Sequence, residues 1–317
     1  MRKQYIEVPH PMSCGLFFKL WTHVKGILFS PLYLAMAYAA GAPGIGFHLR
    51  CIAAGAGLLL GGRASLNTCY RLLFSPMDST RYFEFHEVWQ SARGLSFTRY
   101  LDVSSPRLIP LFLLKAVPAA AAVLINPDYS DLQETEKLSN ALGLKSRCEF
   151  FNGTLDKAGF VPDTFDLITC ISVVEHIPRD KAVIEAIWSI LRPGGKLILT
   201  LPCMAQSQEQ YISNNPYGVL PPGEDSYVFW QRYYDRERME TVIYGTTGRP
   251  VRMAVYGEKK CGLFFRNASM KPLLGSLYPY WREPYMMATE YQRYSSTDEL
   301  PGEGVAMLEF IKPGERR

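Results

Sequence analysis

Phe165 to Leu201 reads FDLITCISVVEHIPRDKAVIEAIWSILRPGGKLILTL, and three successive parts of it set the architecture. The apolar run Phe165 to Ile171 has the length and composition of a strand buried on both faces. Arg179 to Leu191 carries apolar residues at helical spacing, and Pro193-Gly194-Gly195 then stops the helix and supplies a turn with positive φ. Lys196 to Leu201 is a second apolar strand. Strand, crossover helix and strand make one βαβ unit, the repeat from which parallel sheets are built.

The same texture continues on both sides. Strands are predicted at Arg99 to Val103, Ala122 to Ile125 and Cys148 to Phe151, with helices at Arg107 to Ala116 and Ser130 to Leu142. A helix near Asp235 to Tyr244 leads to a strand at Pro250 to Tyr256, and Gly304 to Ile311 closes the sheet as an antiparallel partner. The expected fold class is α/β, a doubly wound and mostly parallel seven-stranded sheet. Before Phe97 the texture is different. Helices are predicted at Cys14 to Phe29, Pro31 to Ala40, Phe47 to Leu60 and Arg63 to Leu73, then at Arg81 to Ser91 behind the capping run Asp78-Ser79-Thr80. The expected division is therefore a helical, basic and apolar region over 1–96, and a sheet domain over 97–317 with an aromatic-rich insertion before its last strand.

Composition narrows the function classes. The seven cysteines are scattered, odd in number and without a Cys-x-x-Cys pair, which points away from a zinc site or a disulfide framework and toward a reducing, cytoplasmic setting. A net charge of +4, with no basic run interleaved with aromatics, gives no indication of a nucleic-acid partner. From Val8 to Met77 there is no Asp or Glu, while Lys19, Lys25, Arg50, Arg63 and Arg71 punctuate apolar sequence. The uncharged run Gly26 to Phe47 approaches the ~20 residues that span a bilayer. Pro31 and Pro43 are expected to break it, and Gly41, Gly44 and Gly46 cluster at its end. The region is thus expected to be a helical cover or a membrane-facing platform giving peripheral membrane contact.

In open α/β sheets ligands sit beyond the carboxyl ends of the strands, where the strand order reverses. Four segments lie there. Asp102-Val103-Ser104-Ser105-Pro106 ends the first strand: small Ser104 allows close approach to the backbone, and Ser105 and Pro106 suit the start of a helix. Asn126 ends the second strand, where a side chain can reach two ribose hydroxyls, with Asp128 two residues on. Thr154, Leu155 and Asp156 follow the third strand, offering hydrogen bonds to an adenine amino group and an apolar cover for its face. Ile171 ends the fourth, and Glu175-His176 follow it.

This order of strand, Glu-His, helix and Arg-Pro-Gly-Gly turn resembles the class I S-adenosylmethionine-dependent methyltransferase family from Tyr100 to Leu201. The resemblance implies a cofactor site for S-adenosylmethionine formed by Asp102, Ser104, Ser105, Asn126, Thr154, Leu155, Asp156 and Ile171. Ser104-Ser105-Pro106 stands where that family has a glycine-rich loop, Asn126 where it has an acid, and Thr154 where it has another acid. In a quinone-biosynthesis subgroup a Glu-x-x-Glu-His segment is associated with divalent metal; Ser172 stands at the first glutamate here, so no metal is expected. His176 is the expected base toward a hydroxyl or amine acceptor, with Glu175 orienting it. The tyrosines and tryptophans of 211–234 and 278–294 suit an apolar or ring-bearing acceptor, and the implied activity is methyl transfer to a small, hydrophobic, lipid-like molecule. The alternative, suggested by the altered cofactor loop, is an inactive member of the fold serving as a binding or scaffold module.

Overall fold

The computed structural model describes residues 2–7, 12, 15–213, 220 and 226–314. Within them, β2 (Arg99–Val103), β3 (Ala121–Ile125), β4 (Cys148–Phe151), β5 (Phe165–Ile171) and β6 (Leu191–Cys203) run parallel in the order β4-β3-β2-β5-β6. Beyond β6 lie β11 (Gly304–Ile311), β9 (Arg252–Glu258) and β10 (Tyr291–Tyr294), each antiparallel to its neighbour. The strand order reverses between β2 and β5, which sets the ligand crevice there. The sheet has eight strands where seven were expected. The added one, β10, is an edge strand of four residues in which polar and charged side chains hide the pattern.

The central parallel strands are buried on both faces, with all seven residues of β5 buried, because helices cover each side. They are α5 (Leu108–Ala116), α6 (Tyr129–Ala141) and α7 (Asp180–Ile190), together with α4 (Arg81–Ala92) from the N-terminal region. The Pro-Gly-Gly turn behaves as its chemistry requires: Gly194 has φ +74°, and its N–H donates to the Lys312 carbonyl at 2.8 Å.

The N-terminal region departs from expectation in two places. Arg2–Ile6 is a strand, β1, which pairs in parallel with β7 (Gln208–Ile212); β7 pairs with β8 (Val228–Tyr233) in a small second sheet. And α1 (Leu16–Ala39) runs unbroken through Pro31, where a break was expected. Pro31 and Ile27, four residues before it, both lie on the solvent side, so water can satisfy the carbonyl that the proline leaves without a donor. With α2 (Ile45–Leu60) and α3 (Leu66–Phe74), α1 forms a helical cap, while Phe17, Phe18, Leu20, Trp21, Ile27 and Leu28 stay exposed on it. No helix among the described residues is long and apolar enough to cross a membrane.

The helix α4 carries Tyr82, Phe83 and Phe85 into the main core, each burial contributing about 1.5–3 kcal/mol. It also buries two acids. Glu87 is paired with Arg252 and Arg293, and Glu84 reaches the carboxyl ends of the central strands.

Candidate active site at the carboxyl edge of the sheet

At the end of β2, buried Asp102 ties the following turn together. Its Oδ1 accepts from Thr169 Oγ1 at 2.5 Å and from the Tyr100 hydroxyl at 3.3 Å, and its Oδ2 accepts from the Ser105 N–H at 3.1 Å. Burial pushes this carboxyl up to about 6, against the pull of those donors. Ser104 adopts φ +51°, the left-handed conformation glycine takes easily, and both its N–H and its Oγ donate to the Ile125 carbonyl, at 2.8 and 3.1 Å. The turn is thus made by a serine in a conformation that glycine adopts without strain. Ser105 was expected to cap the next helix and does not. Its hydroxyl accepts from the Ile171 N–H at 3.1 Å, tying β2 to β5 across the switch point, and α5 starts only at Leu108.

Asn126 sits at the end of β3, half-buried. Its Oδ1 accepts from the Asp128 N–H at 2.9 Å and its Nδ2 donates to Asp131 at 3.0 Å, leaving one amide proton and one lone pair for a ligand. Asp128 is no loose surface charge, since it caps α6 by accepting from the N–H groups of Ser130 and Asp131. Asn152 donates to the carbonyls of Asn126 and Pro127 at 3.0 and 3.1 Å, which draws the β4 loop beside this turn. Thr154 and Leu155 follow, half-buried, and the Thr154 hydroxyl holds the exposed Asp156 carboxyl below its ordinary range.

After β5, Ser172 takes φ +51° and the chain makes a single 3-10 turn, Val174–His176. The His176 Nδ1 lies 2.7 Å from the Trp230 carbonyl of β8. A carbonyl only accepts, so Nδ1 carries the hydrogen and Nε2 presents its lone pair. Burial lowers the imidazole to about 4, leaving it a neutral base at physiological pH. Glu175, 2 % exposed, is pushed up to about 8 by burial, and its Oε2 has no hydrogen-bond partner among the described residues. The 3.9 Å from Glu175 to His176 Nε2 thus separates two groups that are both uncharged near pH 7, so it is not an ion pair.

Glu84 and Arg81 were not foreseen. Glu84 Oε1 accepts from Ser172 Oγ and Thr200 Oγ1, each at 2.5 Å, and its Oε2 accepts from Arg81 at 2.8 Å. An acid from a distant helix thus lies against Ser172. The sequence signal was an acid within the apolar run Tyr82-Phe83-Glu84-Phe85, a position with no solvent face. Conversely, several aromatics expected to line an acceptor pocket are structural. Tyr233 donates to Glu303, Tyr234 to Asp180 and Tyr278 to Glu283; Tyr217 lies outside the described residues.

The carboxyl edge of the sheet therefore gathers the Asp102–Ser105 turn, Asn126, the Thr154–Asp156 loop, Ile171 and the Glu175–His176 pair on one rim. Among the described residues no group of three or more His, Cys, Asp or Glu is placed to hold a metal ion.

Residues 106–199 match a family model described as a methyltransferase domain. A ubiquinone biosynthesis O-methyltransferase of Aliivibrio fischeri is 26% identical over 128 residues, 40% of this chain and 53% of that protein. Its namesake from Xanthomonas euvesicatoria pv. vesicatoria is 47% identical over 107 residues, 33% of this chain and 44% of that protein. The chain spans about half the length of these curated relatives. Among solved structures, coclaurine N-methyltransferase has a TM-score of 0.46 at 14% identity, over 72% of this chain and 71% of that one. The matched segment begins at Pro106, just after the Asp102–Ser105 turn, and ends within β6; it takes in Asn126, the Thr154–Asp156 loop, Ile171, Glu175 and His176. Over residues 106–199 the chain is thus similar to the methyltransferase domain that this family model describes.

Proposed function

We propose that the protein binds S-adenosylmethionine at the carboxyl edge of its sheet and transfers the methyl group to a small hydrophobic acceptor. The observation that carries this reading is the Asp102–Ser105 turn. Its left-handed Ser104 and its brace to Ile171 form a tight, small-residue turn at the switch point, which supports a cofactor loop there. The groups present suit the cofactor. The unused amide proton and lone pair of Asn126 match a ribose diol, Leu155 and Ile171 give apolar walls, and Thr154 and Asp156 offer acceptors to an adenine amino group. When bound, S-adenosylmethionine supplies an electrophilic methyl on a sulfonium. The chain's own task is to place an acceptor in line with it and exclude water. His176, neutral and with its Nδ1 proton directed to the Trp230 carbonyl, takes the acceptor's proton at Nε2.

Isothermal titration with S-adenosylhomocysteine tests the site. Micromolar binding is expected, weakened about tenfold in Asn126→Ala by loss of the diol contact, while His176→Gln is expected to bind normally and lose methyl transfer to its acceptor. No binding by the wild-type chain would instead favour the inactive scaffold reading.

A peripheral membrane contact through α1 belongs to the same proposal. It is supported by the exposed Phe17, Phe18, Leu20 and Trp21 together with the acid-free stretch from Val8 to Met77. Sedimentation with anionic phosphatidylglycerol vesicles is expected to carry down the full chain. Phe17→Glu/Leu20→Glu should reduce the bound fraction about tenfold; equal sedimentation of both would remove α1 from the contact.

A further inference from the structure

Between the helical cap and the sheet domain lies a cavity of about 600 Å³, within the range of small-molecule sites. Its walls come from α3, the segment leading into α4 with Arg81 and Phe85 of α4, the start of α5 and one face of α6 along its length. Buried Leu72, Met77, Phe85, Leu108 and Leu138 give it an apolar floor. Its polar wall has a definite charge imbalance. Arg107 is paired with Asp131, Lys137 with Glu134, Arg81 with Glu84, and Asp78 with Lys271. These pairs account for all three acids lining the cavity and leave two of its five cations, Arg63 and Arg71, with no hydrogen bond or ion pair to their guanidinium groups among the described residues. Both are exposed, and they flank Asn67 and Thr68 on one wall.

An apolar floor below two uncommitted guanidiniums matches one ligand chemistry, an apolar body carrying an anionic head. A phosphate ester fits best, because a dianion can satisfy two guanidinium forks while hydroxyl and amide donors fill its remaining oxygens. We infer that this cavity binds a phosphate-bearing amphiphile, with Arg63 and Arg71 holding the phosphate and the apolar body lying on Leu72, Met77 and Phe85. That this ligand is also the methyl acceptor rests on the methyltransferase reading; the binding site itself does not. The cavity adjoins the cofactor turn through Pro106 and Arg107.

The probe is octyl phosphate, titrated calorimetrically into the full chain below its micelle concentration, with and without saturating S-adenosylhomocysteine. Octyl phosphate is expected to bind, and octanol is not. Arg63→Ala/Arg71→Ala is expected to weaken binding at least about tenfold, from the loss of two charge-assisted contacts. Lys115→Ala/Lys145→Ala, which removes the same charge from exposed positions elsewhere, should leave the affinity unchanged. Both arginines are exposed, so the double variant should fold, and its unfolding midpoint verifies this. Equal affinity of wild type and the arginine variant would overturn the inference. So would complete displacement by S-adenosylhomocysteine, because the cavity would then be part of the cofactor pocket. If S-adenosylhomocysteine gives no heat while octyl phosphate still binds in an arginine-dependent way, the amphiphile site stands and the methyltransferase reading falls.

Discussion

Glu175→Gln is expected to stabilise the folded chain by an amount that grows as the pH rises from about 4.5 to about 8. Burial raises the folded carboxyl to about 8, whereas in the unfolded chain it titrates near 4.3. Between those values the folded state keeps a proton that the unfolded state has released. Wild-type stability therefore falls by about 1.4 kcal/mol for each pH unit across the window. Glutamine is neutral throughout and nearly the same shape, so it removes that slope. The variant should match wild type near pH 4.5 and exceed it by several kcal/mol at pH 8. Asp102, raised to about 6, adds slope of the same sign; His48 and His176, both lowered to about 4, add the opposite slope between about pH 4 and 6.5. Those groups are common to both proteins, so the difference between variant and wild type isolates Glu175. Urea unfolding at four pH values measures it, and a difference independent of pH would mean that Glu175 is ionised in the fold.

Glu84→Ala should produce the largest loss. The change leaves Arg81 without its partner and deprives the Ser172 and Thr200 hydroxyls of their acceptor, all in a site closed by Tyr82, Phe83 and Phe85. Removing one member of a fully buried ion pair costs about 3–5 kcal/mol, and because Arg81 is partly exposed while Glu84 is buried, the loss is expected toward the lower end of that range. Replacing both with apolar residues of similar size, Arg81→Met/Glu84→Leu, should recover much of that loss, because no charge is then left stranded. Glu136→Ala, on the exposed face of α6, should change stability by less than about 0.5 kcal/mol. Denaturant midpoints of the three variants are the test, and a small effect of Glu84→Ala alone would show that Arg81 reaches water without it.

These two acids also mark the limits of what was legible from the chain. The five parallel strands could be read because each is an apolar run bounded by turn residues, and the Pro-Gly-Gly turn because only one backbone geometry suits it. Asn126, the Thr154 loop and Ile171 were placed on the correct rim because position after a strand is set by topology. What each side chain bonds to was not legible. The Ser105 hydroxyl serves β5 instead of a helix terminus, and Glu84 reaches strands whose residues lie 88 and 116 positions further along. Such pairings depend on tertiary proximity, which local preference does not encode. Arg2–Ile6 was missed as a strand because it is short and largely polar, and its partner β7 lies some two hundred residues away.

The placement of β11 carries a consequence for biosynthesis. It is the last strand in chain order, yet it lies between β6 and β9 and bonds to both. Until residues 304–311 have left the ribosome, β6 and β9 each present an unpaired edge, and the nascent sheet stays divided. Pairing between strands far apart in the chain is slow, and open edges invite contact with other chains during the wait. Yield in a cell should therefore depend on whatever shields those edges during synthesis, more than on the equilibrium stability of the finished sheet.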